Sequence, residues 1–169
     1  MDAMNETYVT VSGNVTGDPT SRVTTSGVPF VTFRLASNVR RVDAKHGGYV
    51  DGGTNYVNVT AFRALGVNLG SSLKKGDPVI VYGRMRVNQW TSGERQGTSV
   101  DIDAYNAGFD MSRGTSTFTR VSHPQLRQVE DRMSDPAVQE AQRGYDEEPP
   151  PEEETGDAEE REAMRGRAS

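Results

Sequence analysis

Apolar side chains recur at every second position through five stretches of the chain, and one stretch stands out for what occupies the positions between. From Val79 to Trp90, the residues Val79, Val81, Gly83, Met85 and Val87 share one face of an extended strand, and Ile80, Tyr82, Arg84, Arg86, Asn88 and Trp90 share the other. Lys75-Gly76-Asp77-Pro78 punctuates its start. One face is apolar, and the other is basic and aromatic with no acid, which suits a polyanion that carries flat bases. A plain amphipathic barrel strand with solvated arginines has the same pattern, so the neighbouring strands must decide between the two readings.

Four other strands flank it. Tyr8 to Val15 alternates through Val9, Val11 and Val15, with a bend at Gly13 and a stop at Gly17-Asp18-Pro19. After a Ser/Thr turn ending at Ser26-Gly27, Val28 to Asn38 turns Val31, Phe33 and Leu35 inward and Phe30, Thr32 and Arg34 outward. Thr54 to Phe62 places Val57, Val59 and Ala61 inward and Tyr56, Asn58, Thr60 and Phe62 outward, so aromatics again fall on the side that should be wet. Thr98 to Ala107 turns Val100, Ile102 and Ala104 inward; its outward Asp101 and Asp103 run against the basic character and are expected to lie off the binding path. Between the third and fourth strands, Leu65, Leu69 and Leu73 at i, i+4 and i+8 predict one short helix, weakened by Gly66 and Gly70. Val39 to Gly53 shows no sustained period and carries Arg40, Arg41 and Lys45 among two glycine pairs, the pattern of a long mobile hairpin loop.

The fold class that follows is all-β, a five-stranded barrel of the oligonucleotide/oligosaccharide-binding kind with one short helix between strands three and four. Charge divides the chain in two. Residues 1–114 carry twelve Lys/Arg against ten Asp/Glu, a net of +2, whereas 115–169 carry seven against fourteen, a net of −7. The second part includes the proline-broken acidic run Asp146 to Glu154 and is expected to be a disordered tail beyond a binding domain at 1–114. A whole-chain charge of −5 therefore does not argue against nucleic acid, because binding follows where the positive charge sits.

The inventory is poor for catalysis. There is no cysteine, His46 lies in the glycine-rich loop, and His123 precedes a proline beyond the barrel, so no nucleophile–base pair is evident. No metal or cofactor is expected. Nor is there a basic-then-apolar leader or a run of about 20 apolar residues, so the expectation is a cytoplasmic, nucleoid-associated protein with no membrane contact. The candidate nucleic-acid contacts are Arg34, Tyr56, Phe62, Arg84, Arg86 and Trp90 on the outward faces, Arg40 and Arg41 in the loop, and Lys75 and Arg95 in the flanking turns. An aromatic face of this kind would also serve a protein–protein adaptor of a replication or primosome complex.

Taken in order, Val11-Ser12-Gly13-Asn14-Val15-Thr16-Gly17-Asp18-Pro19, Phe33-Arg34-Leu35-Ala36-Ser37, Val59-Thr60-Ala61-Phe62 and Lys74-Lys75-Gly76-Asp77 through Gly83 and Arg86 to Trp90 resemble the bacterial single-stranded DNA-binding proteins over roughly Tyr8 to Gly114. The resemblance implies a homotetramer that covers single-stranded DNA during replication, recombination and repair. It implies stacking at Trp90, Phe62 and Tyr56, while Arg40 and Arg41 stand where a further aromatic is expected. Family tails usually end in an acidic stretch with a Pro-Phe tip that recruits other proteins, and this chain ends Arg165-Gly166-Arg167-Ala168-Ser169. The resemblance is thus to an accessory paralogue, or a plasmid or phage version, with little recruitment of replication and repair proteins through its C-terminus.

Overall fold

A computed structural model describes residues 5–122. The described chain runs β1 (Thr7–Val15), β2 (Thr20–Val23), β3 (Pro29–Asp43), β4 (Gly48–Phe62), α1 (Arg63–Ser72), β5 (Pro78–Ser92) and β6 (Arg95–Phe109), ending in a single 3₁₀ turn at Met111–Arg113. The strands form one sheet in the order β1-β5-β6-β4-β3-β2. β1 leaves β5 at Asn14 and pairs with β3 through Asn14↔Ala36 and Val15↔Leu35, so the pairings run in a circuit. That crossing depends on Gly13, where a Cβ would sit 2.6 Å from the Ala36 carbonyl oxygen.

The alternation read from sequence builds the interior. Val15, Val31, Leu35, Val59, Val79, Val81 and Ile102 are fully buried, with Phe33, Val57, Ala61 and Ala104 completing the layer. Each such aliphatic contributes about 1.5–3 kcal/mol relative to leaving it in water. The helix lies where the leucine stripe predicts it. Leu69 and Leu73 are buried and Leu65 packs against the same core, while Gly66 lets α1 approach so closely that a Cβ would meet the Ala61 carbonyl oxygen.

Three expectations need correction. The described sheet has six strands rather than five, because Thr20–Val23 forms a short edge strand on β3. Its side chains are all exposed, so no apolar period marks it, and backbone pairing alone makes it a strand. The segment 39–53 is not a loop: β3 runs on to Asp43 and β4 starts at Gly48, paired from Arg40↔Asp51 to Asp43↔Gly48. Val39, Val42, Tyr49 and Val50 supply β-propensity there, and the irregularity after Asn38 and the positive φ of Gly53 (109°) absorb a shift in register without ending the ladder. Lastly, Val87 is 56% exposed despite its place on the apolar face of β5. The pairing of β1 with β5 stops at Thr7↔Met85 and that of β4 with β6 at Asn58↔Asp101, so beyond Arg86 the β5–β6 hairpin continues as a two-stranded arm, whose Val100 still packs against the core while its partner Val87 faces solvent.

The expected acidic tail falls mostly outside the described residues; 115–122 are exposed and irregular. Among the described residues no helix is long and apolar enough to cross a membrane.

Candidate nucleic-acid interface

Register brings the outward residues of four strands into rows. Arg34 of β3 stands opposite Asn58 of β4, Asn58 opposite Asp101 of β6, and Asp101 opposite Arg86 of β5. One step along, Thr32, Thr60, Asp103 and Arg84 make the next row, which continues to Tyr8 of β1. In the other direction β5 and β6 continue alone, pairing Asn88 with Ser99 and Trp90 with Gly97. The two-residue turn Gly93-Glu94 then closes the arm, with Gly93 at φ 60° and Arg95 exposed beside it.

Trp90 and Gly97 form a single structural unit. A Cβ built on Gly97 would fall 2.4 Å from Cζ2 and 2.6 Å from Cε2 of the indole, so the ring lies across the bare glycine backbone. Half-buried in this way, it is held against β6 while part of it faces solvent. At the opposite border, the Arg34 guanidinium sits 4.4 Å from the centroid of the Tyr56 ring, a cation–π contact on a side chain that remains 47% exposed. Arg34 therefore covers one face of a ring expected to stack on bases. Arg86 is half-buried in the row between. Arg40 and Arg41 are exposed on the β3–β4 arm, where the Arg41 stem lies over Gly52.

Three predicted site residues lie elsewhere or are covered. Arg84 is on the expected face of β5 and yet buried: its Nη1 donates to Glu6 Oε1 at 2.8 Å and its Nη2 lies 3.5 Å from Asp103 Oδ2. Burial works against its charge, but the Glu6 hydrogen bond and the Asp103 carboxylate outweigh it and hold the guanidinium above its ordinary range. The residue just before β1 and the strand β6 each bring a carboxylate to it, so the guanidinium is held within the protein. Phe62, at the end of β4, is 7% exposed, its centroid 5.6 Å from that of Phe30, and so offers no open face. Lys75 is exposed in the turn before β5, its backbone N–H donating to Asp18. That turn is separated from Trp90 by the length of the strand, about 40 Å of extended chain.

Asp101, expected off the binding path, stands in the same row as Arg34 and Arg86, while Asp103 is buried beside Arg84 in the next row. Asp101 accepts from Asn58 Nδ2 (2.8 Å), Asn88 Nδ2 (2.7 Å) and Ser99 Oγ (3.1 Å), joining β4, β6 and β5 on the outward side. Composition hid this role, since an aspartate on a basic face reads as an outlier until the parallel β4–β6 register is known. Beside Arg84, an extra residue in β6 between Ala104 and Asn106 brings Tyr105 close to Tyr8 and Tyr82, with centroids 5.7 and 6.4 Å away. With Ile80, these rings make an aromatic patch at the far end of β5 from Trp90; Tyr8, Ile80 and Tyr82 are 40–44% exposed.

A mostly β domain with one helix and a mixed arginine–aromatic face has clear relatives. Residues 6–110 match the model of the single-strand binding protein family, and the chain belongs to that family. It is 47% identical over 119 residues to single-stranded DNA-binding protein 2 of Streptomyces avermitilis, covering 70% of this chain and 75% of that protein. It is 42% identical over 113 residues to single-stranded DNA-binding protein 2 of Tropheryma whipplei, covering 67% and 74%. Among solved structures it superposes on the small single-stranded DNA-binding protein from Streptomyces coelicolor with a TM-score of 0.60 and 42% identity, over 67% of this chain and all of that one.

Proposed function

We propose that this chain binds single-stranded DNA without reading a defined sequence, holding strands exposed during replication, recombination and repair. Bases stack on Trp90, and Arg34, Arg86, Arg95 and the β3–β4 arm arginines Arg40 and Arg41 follow the phosphates. The observation that carries this reading is the indole of Trp90, laid on Gly97 at the rim of a face that also presents Arg86 and the Arg34–Tyr56 pair. A half-exposed ring of this kind is a platform any base can use, at about 1–3 kcal/mol per stacked base.

The chain contains one tryptophan, so its fluorescence reports on this site alone. Oligo-dT is expected to quench it, with log affinity falling against log salt by about 0.7 per phosphate neutralised. No quenching at low salt, the behaviour of an adaptor, or a preference for duplex overturns the proposal.

The working form we propose is a homotetramer. β1 has no strand partner along Thr7–Gly13 besides β5 among the described residues, and the Tyr8–Tyr82–Tyr105 patch with Ile80 adjoins that edge, both suited to a second copy. Mass measurement in solution tests this. Residues 115–169, with their net −7, are proposed to be dispensable for folding and binding. Deleting them is expected to raise DNA affinity slightly at low salt and not at high salt, where repulsion is screened; weaker binding by the truncated chain overturns that reading.

A further inference from the structure

Asp101 presents a problem for a face that meets a polyanion: a carboxylate stands in the row between Arg34 and Arg86, directly opposite Arg86, and its three side-chain donors are all neutral. Two of those donors are asparagine amides. A carboxylate only accepts, so Asn58 and Asn88 must each turn their NH₂ toward Asp101 and their carbonyl oxygen away from it. Each amide spends one N–H in this way, and its orientation is fixed. Of the Asp101 oxygens, Oδ2 takes two of the bonds and Oδ1 only one, so Oδ1 keeps room for another donor. All three residues are half-buried and occupy neighbouring outward positions on β4, β6 and β5, between the Arg34–Tyr56 pair and Trp90.

Resting on the function proposed above, we infer that Asp101, with the Asn58 and Asn88 amides it orients, is a base-edge subsite rich in acceptors that favours bases carrying an exocyclic amine. Carboxylates accept from the cytosine N4 amine, and an amide oxygen does the same. Cytosine and thymine isolate this effect. Both are single-ring bases that stack through similar faces, but position 4 carries an amine donor in one and a carbonyl acceptor in the other, which would meet lone pairs of its own kind here. Asp101 thus makes one contact itself and acts through the two asparagines as a positioning residue. The result is a graded preference on a surface that otherwise ignores sequence.

The test is to titrate the full chain and Asp101→Asn with oligo-dC and oligo-dT of equal length in the same salt. Removing the charge raises affinity for both strands, most at low salt, so the common change is set aside and the dC/dT affinity ratio is read. That ratio is expected to be about three- to tenfold higher in the unsubstituted protein than in Asp101→Asn. Asn88→Ala, which removes one oriented amide from the two-stranded arm, is expected to lower the ratio in the same direction and serves in place of Asp101→Asn should that variant fail to fold. Equal ratios in the unsubstituted and variant proteins overturn the inference and leave single-strand binding standing. Failure of both homopolymers to bind the unsubstituted chain overturns the proposed function, and this subsite with it.

Discussion

Arg84 and Arg86 stand two residues apart on the same face of β5, and they live in different environments. At Arg84 the strand has a neighbour on each side, Tyr8 of β1 and Asp103 of β6; Glu6, just before β1, and Asp103 itself reach the guanidinium. At Arg86 the β1 pairing has ended, and only β6 remains alongside. The inner half of β5 therefore uses its outward residues as structure, in an ion triad beside three tyrosines. The outer half leaves Arg86, Asn88 and Trp90 partly open. Alternation along a strand assigns a face; where the neighbouring strands end decides whether that face meets water.

The sharpest way to break this contrast is to remove each arginine in turn. Arg84→Met strands Glu6 and Asp103 around a side chain that no longer answers their charge, and stability is expected to fall by about 3–5 kcal/mol. Arg86→Met is expected to cost less than about 1 kcal/mol. Chemical denaturation of both variants measures this. Similar losses would mean that the two halves of the strand are energetically alike, and the division drawn here would fail.

On the arm itself the expected effects are on binding. Trp90→Ala is expected to weaken single-stranded DNA binding by about 1–3 kcal/mol with the melting temperature little changed, because the ring rests on Gly97 and is not part of the core. Gly97→Ala is the finer probe, since it keeps the indole and moves it: the new Cβ cannot coexist with a ring 2.4 Å away. Its affinity is expected to fall between those of Trp90→Ala and the unsubstituted chain. A melting temperature that collapses in Trp90→Ala would show that the ring is a core residue, placing the arm on the structural side of the comparison.

Legibility in the sequence followed the same boundary. The inward sets on the strands, such as Val31, Phe33 and Leu35 or Val57, Val59 and Ala61, were readable because one buried layer imposes period two, and the leucine stripe marked α1 for a similar reason. What pairing decides was not readable. β2 carries no apolar period, the β3–β4 arm looked like a loop because its glycines hide a ladder, and Val87 kept the period past the end of the core. Among the site residues, Arg34, Tyr56, Arg86 and Trp90 share one surface as their alternation implied. The burial of Arg84 and the central place of Asp101 depend on partners far away in sequence, Glu6 for the first and Asn58 for the second, which no local pattern could supply.

A smaller effect separates the two arginines in DNA binding. Arg86→Gln is expected to make the slope of log affinity against log salt shallower by about 0.7, the equivalent of one phosphate contact on a single strand. Arg84→Lys, which keeps the buried charge, should leave the slope unchanged. A slope that responds to Arg84→Lys and not to Arg86→Gln would exchange their roles.

The smallest expected effect concerns Tyr8, at the structural end of β5. Its phenol donates to Glu6, the same carboxylate that accepts from Arg84, and that bond, followed by one with Tyr105, pushes its pKa well above the ordinary tyrosine range. The folded chain therefore keeps this proton to higher pH than the unfolded chain does. Its contribution to stability is complete below the unfolded value of about 10 and is lost as pH rises through the raised folded value. Tyr8→Phe removes the titrating group and the hydrogen bond together, so its stability should be lower near neutrality and should fall less steeply as pH climbs past 10. Denaturation midpoints of the two proteins across the alkaline range make the comparison. Parallel alkaline limbs would mean that the Tyr8 proton is not tied to folding.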